Sequence, residues 1–149
     1  MTETSDFSRE DLDILLPIFR ASTGEQIASV RQALQTLRRA PDDAEALVVL
    51  HRAVHSIKGA SLQLGFVHIG VLARAMEGLA VASRERAAGV PSECAALFAS
   101  GADLLERYLE ALDRPSECPN ADGALLNQIV AMTERKTAEA AGTGRAGTP

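Results

Sequence analysis

Along residues 7–39, Leu12, Leu15, Phe19, Ile27, Val30, Leu34 and Leu37 recur mostly at three- and four-residue steps, with polar residues between them. That spacing predicts a helix with one buried face. Ser8 is placed to cap its start, and Pro17, inside the pattern, is expected to kink it or to divide a short leading helix from a long one. "APDDAEAL" then reads as a turn and a fresh start, with Asp42 as N-cap and Glu45 as its capping-box partner. The second helix should run to about Leu64, where Gly65 offers a C-cap. A third is expected from about Val67 to Ala87 with Leu72, Met76, Leu79 and Ala82 as its seam. A fourth follows from about Ser92 to Leu112, on Cys94, Leu97, Gly101, Leu104, Tyr108 and Leu112.

After the Pro- and Gly-punctuated "DRPSECPNADG", a last helix is predicted from about Asp122 to Ala138 on Leu125, Ile129 and Met132. No strand-like alternation competes. The expected fold is all-α: an antiparallel up-down four-helix bundle with an additional C-terminal helix, joined by short loops. Residues 1–8 should form a flexible N-terminus, 9–138 the bundle, and 139–149 a disordered tail or the start of a linker.

Composition narrows the function classes. Hydrophobic residues make up 46% of the 149, aromatics only 3%, so aliphatic side chains must fill the core. A net charge of −5 without a Lys/Arg stripe argues against a nucleic-acid partner. No apolar run approaches the ~18–20 residues that span a bilayer, and "MTETSDFSRED" is opposite in character to a signal peptide, so a cytoplasmic location without membrane insertion is expected. Cys94 and Cys118 are isolated, which argues against a disulfide scaffold.

The second helix contains the chemistry. At about 100° per residue, Leu47, Leu50, Val54, Ile57 and Ser61 form its core stripe, which turns His55 and Gly59 outward. Gly59 costs roughly 1 kcal/mol of helix propensity relative to Ala. An outward glycine one turn from an outward histidine leaves bare helix beside the imidazole, room for a second protein's active site to close over the ring. Lys58 projects nearby, and Leu62 flanks the same outer region.

"HSIKG", His55 to Gly59, within the longer "LHRAVHSIKGASLQLGF" and followed by "LARAMEGL", resembles the His-x-x-Lys-Gly signature of histidine phosphotransfer (HPt) domains. The fifth helix makes it most similar to the N-terminal phosphotransfer domain of chemotaxis-type (CheA-type) histidine kinases. The resemblance covers about residues 10–138. It implies that His55 accepts a phosphoryl group from a histidine kinase catalytic domain and donates it to an aspartate of a CheY-like response regulator. It also implies that Glu77, 22 residues after His55, orients the imidazole, and that Lys58 offsets phosphoryl charge. Gly59, Leu62, Gln63, Phe66 and Arg74 are then candidates for partner contact, with Phe66 alternatively capping the core. This chain should bind no cofactor of its own, ATP and Mg²⁺ being supplied by kinase and regulator. It shows no glycine-rich nucleotide site, although a parent protein could be a kinase.

Arg74 stands where chemotaxis kinases usually have a second histidine. It could pair with Glu77 and draw it from His55, or help to hold the phosphoryl group. Two other readings compete. One is a non-catalytic helical adaptor. The other is a metal site on His51 and His55 at i,i+4, disfavoured because Arg52 follows His51 where metalloprotease helices have a glutamate; no metal is expected.

Overall fold

A computed structural model describes residues 7–86, 89–114 and 123–146. Five helices follow in chain order: α1 (Arg9–Arg39), α2 (Ala44–Leu64), α3 (Val67–Arg84), α4 (Ser92–Glu110) and α5 (Gly123–Ala146). Helices α1 to α4 pack as a closed ring, each against its sequence neighbour and α1 against α4, and α5 lies against α3 and α4. This is the antiparallel four-helix bundle with an additional C-terminal helix; no strand occurs among the described residues.

The predicted faces form the core. Val30, Leu34 and Leu37 of α1 meet Leu50, Val54 and Ile57 of α2, with Met76, Leu79, Phe98 and Leu105 from the other side of the ring. Leu125 and Ile129 bury α5 against them.

Caps and boundaries refine the expectations. Ser8 closes a capping box with Asp11, each side chain accepting from the other's backbone N–H. Helix α1 continues through Pro17, contrary to the expected division. Pro17 faces solvent, where water can satisfy the carbonyl left without a donor. The N-cap of α2 is Asp43 rather than Asp42. Its carboxylate accepts from Ala46 N at 2.9 Å, and Glu45 falls in the first turn instead of serving a capping box. Helix α5 reaches Ala146, so residues 139–146 are helical where a disordered tail was expected. Cys118 and most of the punctuated connection lie outside the described residues.

Two residues join α2 to α3. Gly65 caps α2 at φ 84°, a conformation open to glycine at little steric penalty, and Phe66 N–H returns to Ser61 O at 2.8 Å. The helices stay close beyond the turn: a Cβ on buried Gly70 would collide with the side chain of Leu62. This hairpin sets which residues of α2 and α3 face one another at the level of the site.

Candidate functional site

His55 stands midway along α2 with its side chain 63% exposed. A Cβ at Gly59 would meet nothing within 4 Å, so the helix surface one turn away is bare. From α3, Glu77 reaches across: its Oε2 lies 2.5 Å from His55 Nδ1, and its Oε1 accepts from Lys58 Nζ at 2.6 Å. The Glu77 side chain is 15% exposed, so the carboxylate is sheltered while the imidazole it holds is open to solvent.

The electrostatics follow from this arrangement. Burial pushes the Glu77 carboxyl up, but hydrogen bonds from Lys58 and His55, with their charges, outweigh it and hold the group below its usual 4.5. Glu77 is therefore an anion and can only accept, so the proton shared with His55 sits on Nδ1. In the neutral ring the lone pair is then on His55 Nε2. The site thus presents a nucleophilic nitrogen of fixed tautomer on an exposed ring.

The remaining sequence candidates divide. Leu62 and Gln63 are exposed on α2 beyond Gly59. Phe66 is half-buried, its ring 4.9 Å from that of Phe19, and packs at the end of the core. Arg74 is exposed on α3 and is not among the ion-pair partners of Glu77, which are His55, Lys58 and His51. Of the two alternatives left open for Arg74, pairing with Glu77 is not the one this geometry shows.

Two residues join the site in parts that sequence reasoning did not assign: Arg84, and His51, which was weighed only as a metal ligand beside His55. His51 Nε2 lies 3.5 Å from Glu77 Oε2, and His51 Nδ1 accepts from Arg84 Nη1 at 2.9 Å. A signal existed, since His51 precedes His55 by one helical turn and Arg84 follows Glu77 by two. Together with Arg52, His55, Ser56 and Glu77 they line an open cleft of about 620 Å³ beside the imidazole. Among the described residues, no group of three His, Cys, Asp or Glu is placed to hold a metal ion, and His51 Nδ1 is already taken up by the guanidinium.

A family model described as the Hpt domain matches residues 14–115. The chain belongs to the Hpt domain family. It is a histidine phosphotransfer domain of a signalling system, and domains of this kind interact with kinase and response-regulator partners. The chain is also 26% identical over 136 residues to the chemotaxis protein CheA of Klebsiella aerogenes, an alignment that covers 88% of this chain. It spans 21% of that relative's length. Among the described residues, no helix of this Hpt domain is long and apolar enough to cross a membrane.

Proposed function

We propose that His55 is the phosphoryl carrier of this Hpt domain, loaded by a histidine kinase catalytic domain and discharged onto a CheY-like response regulator in the cytoplasm. The Nε2 lone pair attacks the γ-phosphorus of ATP held with Mg²⁺ by the kinase, an N–P bond forms, and ADP leaves. Glu77 keeps the proton on Nδ1 and stabilises the positive charge that the ring acquires. In the second step an aspartate oxygen of the regulator attacks phosphorus, and the pair of the breaking N–P bond returns to Nε2. Phosphoryl transfer of this kind needs positioning and charge stabilisation more than covalent machinery from the protein.

The single observation that carries the reading is an open imidazole whose Nδ1 is held by a sheltered carboxylate. Lys58, bound to the other oxygen of the carboxylate that holds His55, is the cation assigned to offset phosphoryl charge once the group is in place. Gly59, Leu62 and Gln63 offer the partner's approach surface, and exposed Arg74 extends it along α3. The likeness to a chemotaxis protein supports a parent that is itself a histidine kinase, with this domain as the phosphocarrier.

Radiolabelled ATP with a chemotaxis-kinase catalytic core should label the wild type but not His55→Gln. The label should be stable in base and lost in acid, as an N–P bond is. Label that survives His55→Gln defeats the assignment and leaves an adaptor that docks partners without chemistry.

A further inference from the structure

Arg84 and His51 line the cleft beside His55, and the proposed phosphotransfer assigns them no part. Their contacts define a chemical state. A guanidinium carries only donors, so the nitrogen it contacts, His51 Nδ1 at 2.9 Å, must offer a lone pair. The ring proton of His51 is then on Nε2, the nitrogen 3.5 Å from Glu77 Oε2. Only this tautomer satisfies both neighbours. A proton on Nδ1 would face the fixed positive charge of Arg84.

The consequence concerns Glu77. Its Oε1 accepts from Lys58 and its Oε2 from His55 at 2.5 Å, and His51 Nε2 stands 3.5 Å from that second oxygen, a longer contact. His51 is the less exposed of the two rings, at 21% against 63%. It braces the carboxylate from the bundle side, while His55 meets it from the solvent side. Because Arg84 occupies Nδ1, His51 reaches Glu77 as a polarised N–H and not as an imidazolium, which would compete with His55 for the same oxygen at full charge.

We propose that Arg84 and His51 are positioning residues for phosphotransfer: the guanidinium fixes the His51 tautomer, and His51 holds the Glu77 carboxylate in the orientation that keeps the His55 proton on Nδ1. This rests on His55 being the phosphoryl acceptor. Arg84 reaches the reaction through two intermediaries, which places a control of His55 reactivity at the C-terminal end of α3.

Long-range ¹H–¹⁵N spectra of the full chain report ring tautomers directly. In the wild type, His51 should carry its proton on Nε2 and His55 on Nδ1. In Arg84→Met the His51 tautomer should become mixed and the Nδ1–H fraction of His55 should fall. Labelling by the kinase core should slow by about 3- to 10-fold, the effect of losing one net hydrogen bond. His51→Phe should give the same loss, and Arg84→Lys, which keeps a cationic donor, should recover most of it.

A wild-type His51 protonated on Nδ1 overturns the proposal, and that reading requires no variant to fold. So does labelling of Arg84→Met at the wild-type rate, or slowed labelling with the His55 tautomer unchanged, which marks a merely structural role. Failure of the phosphoryl-acceptor assignment is separate: it appears as label retained in His55→Gln, whatever the tautomers are.

Discussion

Glu77 has two oxygens, one bound by Lys58 and the other by His55, with His51 Nε2 standing 3.5 Å from the latter. Its carboxyl is held below its usual 4.5, first against the opposing effect of burial and then by the bonds from Lys58 and His55. A carboxyl lowered in the folded state contributes stability that is fully present above the unfolded value and is lost as pH falls through the lower folded one. Urea unfolding at a series of pH values should therefore show wild type more stable than Glu77→Gln above about pH 4.5, with the gap closing on acidification. A gap that widens in acid contradicts the assignment. The same substitution should slow labelling of His55 by roughly tenfold or more, since loss of a partner that orients a reactive imidazole has effects of that order. Gly59 gives a second test at this scale. With open space where its Cβ would stand, Gly59→Ala should stabilise the bundle by up to ~1 kcal/mol, whereas Gly59→Gln should slow transfer to the regulator in a folded protein. Wild-type transfer by Gly59→Gln would mean that the bare surface serves no partner.

At the scale of elements, the connections are more exacting than the helices. Gly89 precedes α4 at φ 86°, and a Cβ there would stand 2.5 Å from Pro41 O, at the crossing where Val90 N–H donates to that same carbonyl at 2.8 Å. Gly89→Ala should destabilise by about 1–3 kcal/mol, measured by denaturant unfolding, because the backbone conformation and the neighbouring main chain both resist it. The sequence made the helices and their faces legible, since a 3.6-residue period is a local signal repeated many times over. Leu47, Leu50, Val54, Ile57 and Ser61 are buried as their phase requires. It was less decisive where one residue chooses between neighbours, as with Asp42 and Asp43, or where exposure decides tolerance, as at Pro17. The meeting of His55 and Glu77 was expected from the resemblance, and the short hairpin that fixes heights on adjacent helices accounts for it; the bond from Lys58 to Glu77 was not expected. Nor were the parts played by Arg84 and His51. The spacing puts both residues on the faces of the site, but whether Arg84 turns toward His51 depends on side-chain rotamers across two helices.

For the molecule as a whole, α5 is attached by charge as well as by apolar contact. Lys136 is buried, its ammonium 2.8 Å from Glu93 of α4 and 3.2 Å from Glu139 of α5, and Glu139 also binds Arg86 beyond the end of α3. A buried lysine that loses its carboxylates is strongly unfavourable, so this cluster ties three elements together or none. Lys136→Ala should raise hydrogen exchange through residues 123–146 while α1 and α2 keep their protection. Uniform loss across all five helices would show α5 to be integral to the bundle's cooperativity. The proposed phosphotransfer site lies on the α2–α3 face, and Lys136→Ala should leave labelling of His55 near the wild-type rate.

The two-residue hinge at Gly65 and Phe66 has a further meaning for how such a domain can diverge. Because so short a link fixes the pairing of the two helices, one residue inserted within α3 before Glu77 would turn the helix beyond it by about 100° and shift it by about 1.5 Å, enough to swing Glu77 away from His55. The stretch of chain between imidazole and carboxylate thus works as a ruler. Exposed side chains along it can drift as partners change, but its buried positions and its length cannot.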